Sequence, residues 1–297
     1  MAKKEKQINV SILVPVYNEE DAVLGTIAKI RETMGDAGFT SFELIVINDG
    51  STDNTGAKLR NTDAHVITHP SNRGYGSSLK SGLRAAKGEI VVITDADGTY
   101  PLERMPVLLE HMAHNDMVVG ARTKTNSEAG FFRRFPKLIL KHFASYVVGI
   151  PIPDLNSGFR AFKKDVVMKY FRIIPSGFSF TSTITMAMLS DGYQVQFVPI
   201  DYFRRVGRSK IRPIRDTISF FSLIMRICLY FSPLRVFVPM SGFFFSLGFL
   251  KIIYDFTYRP LGRFVISQSV LFFTLLSIQI LILGLVADLI IRRPVGD

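Results

Sequence analysis

The sequence predicts an α/β protein in which a largely parallel sheet, covered by helices on both faces, leads into basic amphipathic helices and an apolar two-helix hairpin. Three observations predict it. Over residues 8–121, short β-branched runs alternate with segments of helical spacing, the pattern of a parallel sheet with crossover helices. After Ala129, aromatic and aliphatic residues recur at helical spacing among lysines and arginines, as in a helix lying in the plane of a membrane surface. Phe264–Ala287 then runs 24 residues without a formal charge, enough to cross the roughly 30 Å hydrocarbon core of a bilayer.

Strands are expected at Val10–Val16, Phe42–Ile47, Ala64–Thr68, Ile90–Ile93 and Met117–Val119, with helices between them at Glu20–Met34, Thr52–Leu59, Ser77–Lys87 and Leu102–His114. The turn Asn48–Asn54 follows a strand and precedes a helix, and its Asp, Ser, Thr and Asn side chains are all able to cap that helix. Gly74-Tyr-Gly76 opens another helix, but Leu79 stands where a dinucleotide fingerprint needs its third glycine. The pair is expected to make a tight helix start near donor phosphates. Glu89–Tyr100 is the stretch on which the chemistry depends. Its buried strand delivers Asp95 and Asp97, one residue apart and therefore on one side of an extended chain, to the crevice where open parallel sheets bind ligands. Two carboxylates there suit Mg²⁺ or Mn²⁺ held together with substrate phosphates; the alternative is a solvated Asp-x-Asp-Gly turn.

Phe131, Phe132, Phe135, Leu138, Ile139, Phe143, Tyr146 and Val147 form the apolar side of the first basic helix, at 131–149, with Arg133, Arg134, Lys137 and Lys141 filling much of the rest. A core-packed helix is the alternative. Strand and helix signals return over 154–200 and end in a strand at Tyr193–Ile200, followed by the cationic loop Tyr202–Lys210. The expected organisation is a catalytic unit at 1–212, a second interfacial helix at 213–231 and a hairpin at 232–297 with spans at 236–254 and 264–287. Lys251 lies close enough to the end of the first span to snorkel. Two spans leave both chain ends on one side. Arg292 and Arg293 put that side in the cytosol, while Arg259 and Arg263 in the connecting loop argue mildly the other way.

Lysine and arginine exceed aspartate and glutamate by 11, which favours nucleic acid, anionic lipid or phosphorylated substrates. The basic residues cluster beside apolar stretches and do not interleave with aromatics in a soluble groove, so nucleic acid is not an expected partner. Cys228 is the only cysteine, which excludes an intramolecular disulfide and a cysteine-based zinc cluster and fits a reducing compartment. The N-terminal apolar run is too short for a signal peptide and lacks a cleavage site. Self-association is left open.

Six blocks in order carry a resemblance: Val14–Glu19, Asn48–Asp53, Asp95–Asp97, Gly120–Arg122, Asp154–Arg160 and Arg205–Lys210. Together they are similar to the inverting family-2 glycosyltransferases with a Rossmann-like GT-A nucleotide-sugar fold. With the C-terminal hairpin, the chain resembles the polyprenyl-phosphate glycosyltransferases of the dolichol-phosphate mannose or glucose synthase type. The resemblance implies that Pro15, Tyr17, Asn18 and Glu19 line the nucleoside pocket and that Asp49 contacts the base. It implies that Asp95, beside Ala96, faces the ribose and the metal, and that Asp97 ligates a divalent ion bridging the diphosphate. Many relatives have Gln two residues after the second Asp; here Thr99 stands there, which leaves the third protein ligand open between water and Thr99. Asp154 matches the acidic residue beside the acceptor, and Arg122, Arg133, Arg134, Arg205, Ser209 and Lys210 match groups gripping acceptor and donor phosphates.

The implied reaction moves a hexose from GDP-mannose or UDP-glucose to a polyprenyl or dolichyl phosphate at the bilayer. Charge grows on the departing diphosphate, where a divalent ion and Lys210 would stabilise it. The attacking phosphate monoester, with a second pKa near ~6, is already mostly dianionic at neutral pH. Asp154 is therefore expected to orient the acceptor or tune an arginine at least as much as to act as a base. Two rivals stand beside this reading. A processive polysaccharide synthase resembles its own kind in a Gln-x-x-Arg-Trp motif, and this chain has no tryptophan. A non-catalytic nucleotide-sugar-binding protein would not need the acidic pair together with Asp154 and Lys210.

Overall fold

The structure is a computed structural model and describes residues 10–123, 142, 145–146, 148–177, 179–203, 225, 229, 232–258 and 267–292. β1 (Val10–Val16), β2 (Phe42–Asn48), β3 (His65–Thr68), β4 (Ile90–Ile93), β5 (Met117–Arg122), β6 (Arg160–Lys163) and β7 (Val195–Ile200) form one sheet in the order β3-β2-β1-β4-β6-β5-β7. Every pairing is parallel except the two made by β6, which runs antiparallel between β4 and β5. The helices are α1 (Val23–Asp36), α2 (Thr55–Leu59), α3 (Tyr75–Ala85), α4 (Met105–His111, after a 3-10 turn at Leu102–Arg104), α5 (Lys164–Lys169), α6 (Phe180–Ser190), α7 (Leu234–Tyr258) and α8 (Gln268–Arg292).

β1 is buried along its whole length, as a strand covered on both faces must be. Val10, Ile12, Val14 and Val16 face Ile27, Ile30, Leu108 and Leu109 of α1 and α4. Leu13 points the other way, with Ile45 and Ile47, into a second core containing Leu79, Leu83, Phe180 and Ile184. Alternation along each strand thus supplies both layers.

The expected strands are present. β5 runs three residues beyond its expected end, and β6, the insertion that breaks the parallel order, had not been singled out. α1 and α2 begin later than their patterns suggest because the polar residues before them are spent on each other. Asn18 donates its amide to Ser51 Oγ at 3.0 Å and accepts from the Thr52 amide at 2.8 Å; the Glu20 amide reaches Asp53 Oδ2 at 3.3 Å and its carboxylate accepts from the Asn54 amide at 3.0 Å. These side chains stitch the β1–α1 loop to the β2–α2 loop, and neither helix has a side-chain cap.

α7 exceeds the expected first span at both ends, whereas α8 begins four residues after the expected start of the second span and ends five beyond it; the loop between them lies outside the described residues, as does nearly all of the two expected interfacial helices. Ser241 faces Ser277 (Oγ to carbonyl, 2.9 Å), Gly248 faces Thr274 and Gly284 faces Phe237, so the two helices run antiparallel. With mean hydropathies of 1.8 and 2.6, each is long and apolar enough to cross a membrane. Their outward side chains are bare: Phe243, Leu250, Phe272, Leu283 and Leu289 are each at least 60% exposed. Lys251 is paired with Asp255 at 2.7 Å and lies over the Tyr254 ring.

Candidate active site

The chain visits β1, β2 and β3 on one side of the sheet and then returns to place β4 on the other side of β1. The crevice beyond their C-terminal ends is the switch point where open α/β sheets bind ligands. Asn18 follows β1, Asp49 follows β2, Asp95 follows β4 and Arg122 ends β5, all at that edge. Because β6 is antiparallel, its N-terminal approach, Asp154–Phe159, comes to the same edge. The antiparallel insertion therefore brings two distant acidic segments together.

Asp97 is 7% exposed, and its Oδ1 accepts from the Thr99 hydroxyl at 2.6 Å and the Thr99 amide at 3.2 Å. Thr99 is fully buried and holds Asp97 from behind. Asp95 is half-buried between the Tyr75 hydroxyl and the α-carbon of Gly158. Burial first, then the charge of Asp95, holds the Tyr75 phenol well above its ordinary range. The carbonyl of Ala96 accepts from Thr26 at 3.1 Å, which anchors the acidic loop to α1.

Asp154 and Arg122 form a two-pronged ion pair: Nε to Oδ2 at 2.6 Å and Nη2 to Oδ1 at 2.9 Å. Amides of Arg122 (3.2 Å) and Asn156 (3.1 Å) donate to the same carboxylate. Burial alone would raise the Asp154 pKa, but the bonds and charge of Arg122 outweigh it and hold the group below the usual carboxylate value. Arg122 also lies over the Tyr202 ring, 5.2 Å from its centroid. Phe203, the last described residue before the cationic loop, donates its amide to the Thr99 carbonyl at 2.9 Å.

Asp49 is 4% exposed, and its carboxylate bonds protein groups: His69 Nδ1 at 2.7 Å and the amides of Arg73 at 2.9 Å and Gly74 at 2.8 Å. His69 reaches Ser81 Oγ with its other nitrogen, at 2.9 Å. The Gly74–Gly76 helix start lies at this edge, with Tyr75 beside Asp95, but does not offer its amides to a phosphate. The amides of Gly76 and Ser77 donate to the carbonyls of Gly177 and Ser176, at 3.1 and 2.9 Å, so that start is closed by protein backbone. Gly76 is required for this approach, since a methyl group there would stand 2.3 Å from the Pro175 carbonyl oxygen.

Arg160 is a functional-site neighbour that sequence reasoning quoted only as the end of a motif. It is fully buried, and its guanidinium donates to the carbonyls of Ser157 and Thr181 and to Thr185 Oγ1 at 2.7 Å. Burial lowers its pKa to about 10, which leaves it charged at neutral pH. Pro15, Tyr17, Asn18, Glu19, Asp49, Asp95, Ala96, Asp97, Arg122 and Asp154 are thus all at one edge. Arg133, Arg134, Arg205, Ser209 and Lys210 lie outside the described residues.

No group of three His, Cys, Asp or Glu side chains able to hold a metal occurs among the described residues. Mg²⁺ commonly uses one or two carboxylates and completes its shell with water and substrate phosphates. The pair Asp95 and Asp97, one of them braced by Thr99, fits a cation that arrives with a diphosphate.

A doubly wound sheet with an acidic pair at its switch point and an antiparallel strand carrying a second acidic segment defines a glycosyltransferase of the GT-A kind. Residues 11–171 match the pattern of glycosyl transferase family 2, and the chain belongs to that family. Residues 232–292 match the GtrB C-terminal hairpin, which together with the exposed apolar helices supports anchoring in a membrane. The dolichyl-phosphate hexose transferase of Haloferax volcanii is 30% identical over 74% of this chain and 94% of its own length. The undecaprenyl-phosphate 4-deoxy-4-formamido-L-arabinose transferase of Pectobacterium atrosepticum is 25% identical over 96% of this chain and 88% of its own. Glucosyl-3-phosphoglycerate synthase from Mycobacterium tuberculosis, crystallised with Mn²⁺, UDP and phosphoglyceric acid, shares the fold, with a TM-score of 0.60 and 20% identity over 74% of this chain and 78% of its own.

Proposed function

We propose that this enzyme transfers a hexose, with inversion, from a nucleotide diphosphate sugar to the phosphate of a membrane polyprenyl or dolichyl phosphate, using Mg²⁺ or Mn²⁺. The observation that carries the reading is the union, in one chain, of the Asp95/Asp97 switch-point site with a helical hairpin whose apolar side chains are bare. The names of the two curated relatives, both transferases acting on lipid phosphates, support it. GDP-mannose and UDP-glucose are the donors to try first.

In the reaction an oxygen of the acceptor phosphate forms a bond to the anomeric carbon. The carbon–oxygen bond to the diphosphate breaks, and its electron pair leaves with the nucleoside diphosphate. A divalent cation bound there would offset the charge growing on that leaving group. Asp95 and Asp97 hold the cation end of the donor, with Thr99 fixing Asp97. Pro15, Tyr17, Asn18 and Glu19 border the nucleoside; Asp49, expected to contact the base, has its carboxylate bonded to His69 and the Arg73–Gly74 turn and serves the pocket by fixing that turn. Asp154 aims the Arg122 guanidinium, and Arg122 meets the acceptor phosphate. Arg133, Arg134, Arg205, Ser209 and Lys210 complete the phosphate grip from the cationic segments. The catalytic unit works against the bilayer surface, because a polyprenyl chain leaves the bilayer only at a cost of about 0.8 kcal/mol per CH₂; Arg292 and Arg293 favour the cytosolic leaflet.

The test incubates detergent-purified protein with a panel of nucleotide sugars, Mg²⁺ or Mn²⁺, and a short polyprenyl phosphate, with products read by mass. A lipid-phosphate hexose that disappears with EDTA is the expected result. Sugar transfer to water alone, or polymer growth, overturns the acceptor assignment.

A further inference from the structure

We infer that Tyr75 is a positioning residue for Asp95, and that Gly158 is the adjoining wall that leaves room for the Asp95 carboxylate beside the Tyr75 hydroxyl. The inference rests on the proposed role of Asp95 as a cation ligand. The Tyr75 hydroxyl has no contact with solvent and lies beside the Asp95 carboxylate, whose charge it feels. A methyl group at Gly158 would stand 2.9 Å from Asp95 Oδ2 and 3.0 Å from the Tyr75 hydroxyl, so any side chain there would press on both groups and shift them.

Both walls are themselves fixed. Tyr75 is the first residue of α3, whose start is tied to Ser176 and Gly177 by the amides of Ser77 and Gly76, at 2.9 and 3.1 Å. Gly158 donates its amide to the Tyr100 hydroxyl at 2.8 Å, and the Ser157 carbonyl beside it accepts from the buried Arg160 at 2.9 Å. Tyr100 lies three residues past Asp97, so the loop that carries the acidic pair also holds the turn that confines it. Ligating carboxylates are oriented by outer hydrogen bonds of this kind, and losing one typically weakens metal affinity by about 10–100-fold.

Mn²⁺ binding to the detergent-purified full chain, read as loss of the free-ion electron paramagnetic resonance signal in the presence of UDP or GDP, tests it without turnover. Tyr75→Phe removes only the hydroxyl, and Gly158→Ala presses a methyl group on the carboxylate and the hydroxyl together. Each is expected to weaken Mn²⁺ binding by about tenfold or more, with nucleotide affinity in EDTA unchanged. Mn²⁺ affinity within about twofold of wild type in Tyr75→Phe overturns the inference and leaves the proposed function standing. A matching loss of metal-free nucleotide affinity also overturns it, as collapse of the pocket. If the wild-type chain holds no Mn²⁺ with either nucleotide, the cation reading fails and this inference with it. Should Tyr75→Phe lose cooperative thermal unfolding, Gly158→Ala decides alone.

Discussion

Each oxygen of Asp154 already accepts two hydrogen bonds, three of the four from Arg122, and the group is nearly buried. Its folded pKa lies below the ordinary carboxylate value, so the stabilisation it contributes is present above the unfolded pKa of about 3.9 and is lost as pH falls through the lowered folded value. Across neutral pH it is an ionised partner of Arg122 with no call on a substrate proton. The acid limb of the rate profile should then belong to the acceptor phosphate, near pH ~6. Wild type and Asp154→Asn are expected to share that limb, with the variant slower throughout; a limb that vanishes in the variant would identify a base. Breaking a buried pair leaves a charge unsatisfied, at about 3–5 kcal/mol. The partial exposure of Arg122 puts Asp154→Asn near the lower end, measurable by urea unfolding. Thr99 makes a parallel case. Thr99→Val removes the 2.6 Å bond to Asp97 and should raise the Mn²⁺ concentration for half-maximal activity by about tenfold. An unchanged metal requirement would mean that Asp97 is held well enough by the backbone amide alone.

At the scale of elements, the start of α3 shows how local patterns and tertiary contacts divide the work. Two glycines before a helical run indicate a tight helix start, and the helix is there. The use of its amides depends on residues a hundred positions away, the carbonyls at 176 and 177, which no local pattern reveals. Gly76→Ala drives a methyl group into the Pro175 and Gly177 carbonyls, and overpacking of this kind costs about 1–3 kcal/mol. At roughly 2–4 °C per kcal/mol for a domain of this size, the thermal midpoint should fall by several degrees; an unchanged midpoint would mean that the 175–177 segment yields freely. The parallel strands were legible because each is a short apolar run bounded by turn residues, and β1 and β4 have the expected limits. β6 was not, because Arg160-Ala-Phe-Lys163 carries charge at both ends; it pairs with β4 and β5, and its Arg160 is buried through bonds to α6 that no local pattern reveals. The same division holds in the site. Asp95, Asp97, Asp154 and the position of Thr99 could be read from motifs, whereas Tyr75 and Arg160 matter through contacts that only the fold creates.

At the scale of the whole molecule, the hairpin and the sheet edge belong to one arrangement. The segment before the hairpin touches it directly: Arg235, at the start of α7, donates to the Tyr146 carbonyl at 3.2 Å, and the Tyr146 hydroxyl donates to the Arg235 carbonyl at 3.3 Å. The basic stretch that leads to Tyr146 and the membrane anchor are therefore joined at residue 235. Two antiparallel apolar helices return the chain to the side from which it came, so the catalytic unit and the C-terminus must share a face of the bilayer. Arg292 and Arg293 at the end of α8 favour the cytosolic face over the two arginines of the 259–263 connection, because the catalytic unit before α7 adds its own basic residues to that side. With Cys228→Ser removing the single native thiol, Gly262→Cys and Gly296→Cys report the two sides separately. In intact cells a membrane-impermeant maleimide should label Gly262→Cys and leave Gly296→Cys unlabelled until the cells are lysed. Labelling of both before lysis would place the helices on the surface and not across the bilayer. The reverse pattern would put the catalytic edge on the opposite face from the one where a cytosolic nucleotide sugar is available.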